Sequence, residues 1–466
     1  MTANKIQQRF KVLLLNPYIG TFRTELVFQA RSICQPLTLG IIAQFLKKAK
    51  FDFTFLDGNA LDLGPQAVLK LVKDIEPTVI VTTTTHDIDY EQPRLSLKDI
   101  SDIAAGLDPL ISLIVMGTHG TVWPMKTMDE IPNVSVLVRG EPELTAWETI
   151  LALNDGECLD SVPGISFRDN NGSICHNPDR PFIEDLDSLP LPAYELMPMD
   201  RYVSPYRNTM SKSAAIITSR GCPNGCYFCC THLMGGRKLR VKSIARVMEE
   251  ISLLVKDYGV QFIHFIDDTF NLDYDRVRSL CIEMIKRDLS FGWNAQMVLP
   301  RNDEQERRFV ELIPLMKESG CTGASIGLEA VPEATRQYIP KSDPARFVRI
   351  HHAAKENGLP VYPNNMFGLR GETMKTLQEQ DEFFTLYGGV KRFHRSVVIP
   401  RPGTKLYDIA LRKDQVCPED SWEKIAEIAG QVGNELTRRD LLENIAYMDE
   451  LERDYKEKHG MKSRKV

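Results

Sequence analysis

The chain has 466 residues, 43% hydrophobic and 26% charged, enough for about three domains and unlike a disordered, collagenous or small disulfide-stapled chain. Lys and Arg number 57 against 63 Asp and Glu, a formal charge of -6, so the composition carries no basic footprint for gripping a nucleic-acid backbone. The opening stretch has only a four-residue apolar run, too short for a secretory leader, and no run reaches the roughly 18 apolar residues of a membrane span; a cytoplasmic protein is predicted.

Residues 11–15 (KVLLL) are a continuous apolar run ending in Asn16-Pro17, the pattern of a strand buried on both faces. A helix with a basic end follows over 36–50, then a strand at 51–57, a helix at 65–75, and buried strands at 78–85, 112–117 and 134–140. This alternation predicts an α/β class with a Rossmann-like, doubly wound parallel sheet over 1–150, whose ligands bind at the carboxyl ends of the strands. Asn16-Pro17, Thr82 to Asp87, Gly117 to Gly120 and Gly140 to Glu143 then surround one crevice.

Prolines at 163, 178, 181, 190, 192, 198 and 205 make 151–208 a linker, with a small hairpin at 164–176 turned by Asn-Gly. Over 209–412, strands at 214–221, 261–268, 291–298, 323–330, 360–369 and 392–400 alternate with helical segments, which suits a partial (β/α)6 barrel. Residues 413–466 read as a charged, helical C-terminal region ending in a solvated tail, KSRKV.

Four of the ten cysteines fall between 222 and 230. In a cytoplasmic chain these are thiols or metal ligands rather than a disulfide framework. Cys222, Cys226 and Cys229 are spaced four and three residues apart on a loop after a strand. A cubane iron-sulfur cluster takes three such thiolates and leaves one iron open. A zinc knuckle is the competing reading, with Cys230 or His232 as fourth ligand, although no second CxxC pair exists to complete a zinc ribbon.

CPNGCYFC resembles the CxxxCxxC signature of radical S-adenosylmethionine (SAM) enzymes, and its place after the first strand of a partial barrel is also theirs. The resemblance implies that Cys222, Cys226 and Cys229 hold a 4Fe-4S cluster whose fourth iron takes the amino and carboxylate groups of SAM, with Phe228 beside the adenine. Cys230 lies outside the motif and reads as a buried thiol. Asp267 and Asp268 stand where the family binds the SAM amine, a helix N-cap by Asp268 or Thr269 being the structural alternative. In SIGLEA (325–330), Ser325 and Glu329 are implied SAM ligands, Glu329 for the ribose hydroxyls. FGLRGET (367–373) resembles the family's Gly-Leu-Pro-Gly-Glu-Thr turn, with Arg370 in place of proline. In IPRPGTKLY (399–407), Pro402 and Gly403 shape the implied rim.

The first domain lacks GxGxxG after its first strand, which disfavours a dinucleotide. PLTLGIIAQFLKKA, FLDGNAL, VMGTHGTVWP and VRGEPELT resemble instead the cobalamin-binding domain upstream of the barrel in one large radical SAM subfamily; with the cysteine loop the resemblance covers roughly 10–410. It implies cobalamin contacts from Thr83, Thr84, His86, Gly117, Thr118, His119, Gly140 and Glu141. There is no DxHxxG motif to ligate cobalt from below; His86 is the candidate for the lower face, or a loop hydrogen-bonding residue, and His119 lines the nucleotide tail or caps its loop.

The implied activity is C-methylation of an unactivated carbon, through a 5'-deoxyadenosyl radical and methylcobalamin, with an external one-electron reductant. The acceptor is a small molecule or a protein or peptide side chain, such as the glutamine of methyl-coenzyme M reductase. Tyr362, Asn364, Asn365, Arg370, His394, Arg395 and Arg401 near late strand ends are candidates to orient it. The alternative is a non-methylating cyclase or rearrangement enzyme acting on a tetrapyrrole or natural product. A transfer-RNA methylthiotransferase would need a further cluster domain and a basic RNA module, and a cobalamin sensor would have no use for the cysteine loop.

Overall fold

The structure, a computed structural model, describes residues 10–29, 31–89, 94–131, 133–169, 171–203, 211–339, 341–387 and 395–458. Pro205, His394, the KSRKV tail and the side chain of Arg395 lie outside what is described.

Strand β1 (Lys11–Asn16) is followed by a short antiparallel pair, β2 (Phe22–Arg23) and β3 (Phe28–Gln29), then by β4 (Asp52–Asp57), β5 (Val79–Thr83), β6 (Ser112–Met116), β7 (Val134–Val138), β8 (Ile165–Arg168) and β9 (Ile174–His176). The first large sheet has the order β4-β1-β5-β6-β7-β8-β9. Its β4-β1-β5-β6-β7 portion is parallel, because each strand is joined to the next by a chain excursion that includes helix. Val12 to Leu15 of β1 are fully buried, as a central strand covered on both faces requires. The helix Leu37–Lys48 lays Leu39, Ile42, Ala43 and Leu46 on that core and places Lys47 and Lys48 at its negative end.

The hairpin at 164–176 departs from expectation. It is not a free-standing linker feature: β8 pairs antiparallel with β7, and β9 with β8, so both extend the first sheet. Ile165 and Phe167 are buried in the sheet core and supply the reason. Gly172, at φ +80°, makes the turn as the Asn-Gly pair predicts.

Strands β10 (Ser213–Ile216), β11 (Ser219–Arg220), β12 (Arg240–Val241), β13 (Phe262–Phe265), β14 (Gly292–Val298), β15 (Cys321–Glu329), β16 (Val361–Phe367) and β17 (Arg395–Val397) complete the set. A six-stranded sheet runs β10-β13-β14-β15-β16-β17, in chain order, with β14 to β17 parallel and helices between them, as a partial barrel requires. The expected strand at 214–221 is two strands: β10 ends at Ile216, and β11 pairs antiparallel with β12 in a separate ribbon. Helices Trp422–Glu427 and Arg438–Lys458 follow. No described helix is long and apolar enough to cross a membrane.

The chain divides into two compact units, one of Met1–Thr21, Ala30–Pro223 and Cys230–Ile263, the other of Phe22–Gln29, Asn224–Cys229 and His264–Val466.

Candidate active site

In the first unit a cleft of about 660 Å³, part of it open to solvent, sits at the carboxyl ends of the parallel strands. The strand order reverses between β1 and β5, the place where open α/β sheets receive ligands. Thr83, Gly117 and Glu141 line the cleft as expected, joined by Thr38, Asp87 and Arg220. Gly117 has φ +117°, and a Cβ there would come within 2.7 Å of Thr84 Oγ1 and 3.1 Å of Thr83 Oγ1, so a side chain would disturb the cleft wall. Thr118 begins the short helix Thr118–Val122 and is fully buried, and Gly140 turns the chain at φ +70°.

The two histidines are held by the protein. His86 is 4% exposed, with Nε2 3.2 Å from the Pro17 carbonyl. His119 is fully buried; its Nε2 lies 2.6 Å from the Arg94 carbonyl and its Nδ1 2.9 Å from Thr84 Oγ1. Since a carbonyl only accepts, Nε2 carries a hydrogen and donates it to Arg94. The pKa of Asp87, the last residue of the expected Thr82 to Asp87 crevice segment, is pushed up to about 6, by burial first and with Glu143's charge adding, against a Thr38 hydroxyl 2.5 Å away.

Glu141 and Glu143, the two acids of RGEPE, form the hub of a buried ion-pair network. Glu141 Oε1 accepts from Arg220 at 3.1 Å, and Oε2 accepts from Arg240 at 2.9 Å and from the Ile183 amide at 2.7 Å. Glu143, fully buried, pairs with both terminal nitrogens of Arg220. Arg220 and Arg240 are register partners in the β11–β12 ribbon. The Glu141 carboxylate, expected as a cobalamin contact, is thus taken by protein donors, and its backbone and methylenes remain as its surface toward the cleft. A short acid pair in sequence pointed here, but its basic partners lie 77 to 99 residues away.

Beyond the ribbon, Cys222 donates its amide to the Gly236 carbonyl at 3.1 Å. In the second unit, Cys226 and Cys229 share a turn closed by the Cys229 amide on the Cys226 carbonyl at 3.2 Å, after Gly225 at φ +62°. All three thiols of the motif are half-buried, whereas Cys230 is fully buried. Phe228 packs edge-on against Tyr227, ring centroids 5.2 Å apart.

Of the other expected SAM contacts, Asp267, Asp268 and Glu329 stand at strand carboxyl ends of the second unit, and Ser325 lies in the middle of β15. Asp267 is buried and Asp268 half-buried after β13. Neither Asp268 nor Thr269 caps a helix: Asp273 does, accepting from the Arg276 amide at 3.0 Å, because the helix starts only at Tyr274. Ser325 lies in register with Gln296 and Tyr362. Glu329 ends β15 at φ +66°, 8% exposed, 3.0 Å from the Lys341 ammonium. Burial works against the charge on Lys341, but Glu329 and the thiolates of Cys226 and Cys229 outweigh it and raise its pKa above the ordinary lysine value. A Cβ at Gly327 would come within 2.7 Å of Lys341 Nζ and 2.8 Å of Glu329 Oε1, so this pair occupies the space that glycine leaves.

Among the expected substrate contacts, Asn364 donates to Gln296 at 3.0 Å and Tyr362 is half-buried. Asn365 and Arg401 are buried. The Arg370 guanidinium lies over the Tyr338 ring at 4.2 Å.

Among the described residues no three His, Cys, Asp or Glu side chains converge on a single metal ion. A cubane presents its thiolates at separate iron corners, so the relevant test is a cradle of thiols with compensating charge. Half-buried Cys226 and Cys229, within the field of the Lys341 cation, fit that requirement. The strand-end cleft with Gly117 in its wall fits a ligand laid against backbone.

Residues 216–384 match the family model of the radical SAM superfamily. The chain carries a radical SAM domain. Over 84% of its length the chain is 29% identical to an uncharacterised methyltransferase of Pyrococcus horikoshii, covering 82% of that protein. Over 74% it is 28% identical to the anaerobic magnesium-protoporphyrin IX monomethyl ester cyclase of Rubrivivax gelatinosus, covering 60% of that protein. The radical SAM methyltransferase TsrM of Kitasatospora setae, solved with cobalamin and a [4Fe-4S] cluster bound, shares the fold at TM-score 0.66 and 18% identity, over 88% of this chain and 76% of that one. The radical SAM domain thus follows a sheet that such a fold also contains, and the cysteine loop falls inside the matched span.

Proposed function

We propose that the protein is a cobalamin-dependent radical SAM enzyme that methylates an unactivated carbon, in the cytoplasm and with an external one-electron reductant. The observation that carries this reading is the pairing, in one chain, of a radical SAM domain bearing CxxxCxxC with an upstream doubly wound sheet that opens a cleft at its strand carboxyl ends. When bound, the cluster, SAM and corrin supply a radical on the acceptor carbon and a methyl group to meet it.

The chain's own residues bind and orient. Cys222, Cys226 and Cys229 are the cluster ligands. Lys341 offsets thiolate charge, and Glu329, braced by Lys341, accepts hydrogen bonds from the ribose hydroxyls. Asp267 and Asp268 receive the SAM amine, Ser325 adds a polar contact, and Phe228 offers an apolar face to the adenine. In the first unit Thr83, Thr84 and Thr85, with the backbone of Gly117, Thr118, Gly140 and Glu141, form the corrin and nucleotide-tail site; His86 and His119 hold its loops. Tyr362, Asn364, Arg370 and Arg401 are the substrate-orienting set, and a peptide glutamine, as in methyl-coenzyme M reductase, is the first acceptor to try.

The similarity to the cyclase supports a second reading, oxidative cyclisation of a tetrapyrrole. Product mass separates the two: methylation adds one CH2, whereas cyclisation removes hydrogen or adds oxygen. The test that comes first is anaerobic purification from cobalamin-supplied cells, with metal analysis and an absorbance spectrum. About four irons per chain together with a corrin support the reading, and iron without corrin overturns its cobalamin half.

A further inference from the structure

The turn over Leu369–Glu372 is closed by the Glu372 amide on the Leu369 carbonyl at 3.2 Å, with Gly371 at φ +81° in its third position. That is the signature of a type II turn, whose second position favours proline. Arg370 occupies that position, and unlike proline it has an amide hydrogen. The hydrogen is used: the Arg370 amide donates to the Tyr227 hydroxyl at 2.9 Å. Tyr227 stands between Cys226 and Cys229 in the cysteine loop. Its carbonyl accepts from the Leu406 amide at 3.0 Å, one of the unpaired donors at the start of the helix Lys405–Arg412. Its ring lies against Phe228.

Two segments distant in sequence, 367–373 and 399–407, thus grip the loop at the same residue, one through its side chain and one through its main chain. We propose that Tyr227 is the positioning residue of the cysteine loop, and that the amide of Arg370 is the tether a proline at that turn cannot provide. The inference rests on the reading that the loop's thiols bind a cluster, and it adds a residue that touches neither iron nor SAM. Holding Tyr227 limits how far Cys226 and Cys229 can part, so the tether acts on how long the cluster is retained and on the environment of its irons.

The experiment compares Arg370→Pro, which suits the turn but deletes the hydrogen, with Arg370→Ala, which keeps the hydrogen and deletes the guanidinium over Tyr338. Tyr227→Phe and the double variant Tyr227→Phe/Arg370→Pro complete a cycle. Each protein is loaded anaerobically, and iron loss to a chelator is timed beside its thermal midpoint and the electron paramagnetic resonance spectrum of the reduced cluster. Arg370→Pro and Tyr227→Phe are expected to lose iron about fivefold faster than wild type, the scale of one net hydrogen bond. The double variant should lose it no faster than either single one, and Arg370→Ala should match wild type. The signals of Tyr227→Phe and Arg370→Pro should shift alike, with midpoints near that of Arg370→Ala. Equal iron loss in Arg370→Pro and Arg370→Ala, or wild-type retention in Tyr227→Phe, overturns the proposal; if Arg370→Pro does not fold, Tyr227→Phe decides it. A wild-type chain that takes up no cluster fails the reading of the thiols and removes the proposal with it.

Discussion

Glu141 and Glu329 stand just beyond or at the end of a strand and differ in how much of their charge is already used. Glu141, after β7, gives both carboxylate oxygens to Arg220, Arg240 and the Ile183 amide. Glu329, at the end of β15, pairs through Oε1 with Lys341, and its Oε2 takes no hydrogen bond among the described residues. Both are nearly buried, at 7% and 8% exposure. Burial and charge therefore do not by themselves mark a ligand-binding carboxylate; the spare acceptor capacity does. Glu141 is a structural hub that holds the β11–β12 ribbon, and Glu329 is braced by a cation with one oxygen spare.

The largest effect that would sharpen this contrast is expected at the thiols. Cys226→Ala should lower 5'-deoxyadenosine formation to background and leave the iron content of the anaerobic protein far below wild type, because a cubane held by three thiolates has no substitute for one of them. Cluster loading equal to wild type would break the assignment.

Next in size is Glu141→Ala, which leaves buried Arg240 and half-buried Arg220 short of part of their counter-charge. A loss of about 3 kcal/mol in denaturant unfolding is expected. A fully stable Glu141→Ala protein that no longer takes up corrin would reverse the contrast, making Glu141 the ligand contact.

Asp87 supplies a pH signature in the same cleft. Its folded-state pKa, raised by burial to about 6, exceeds the unfolded value of about 3.9, so the folded chain binds this proton more tightly. The resulting stability is fully present below pH of about 4, declines as pH rises, and is lost above about 6. Asp87→Asn should remove that decline, a change of about 3 kcal/mol in the difference between unfolding free energies at low and neutral pH. An unchanged pH dependence would show the carboxyl to be ionised as in an ordinary aspartate.

The smallest effect is expected at Glu329. Glu329→Gln should weaken SAM binding about tenfold, the scale of a charge-assisted hydrogen bond, with little change in thermal midpoint. A large drop in midpoint with unaltered SAM affinity would place Glu329 beside Glu141 as structural.

Much of this could be read along the chain, and what could not has a common cause. The strands KVLLL and SLIVM announce themselves because a parallel sheet buried on both faces demands continuous apolar runs, and CPNGCYFC because thiolate ligands to one cluster must lie close together on a loop. Arginine at 370 is visible as a departure from a familiar turn, but its amide's partner is 143 residues away. The break of the 214–221 segment into β10 and β11 is hidden because no Gly or Pro interrupts the run from the apolar Ala214–Ile217 into Thr218, Ser219 and Arg220; it is the ribbon with β12 that separates them.

The amino-acid order alone therefore settled the alternation of strands and helices and the placement of the thiols, since periodicity and spacing are local properties. Only the folded chain decided which carboxylates are spent and which are spare, that Lys341 lies within the field of the thiolates, and that Tyr227 is held from two sides. Those are properties of pairs far apart in sequence, and burial sets their strength by removing the water that would otherwise compete for each charge and hydrogen bond.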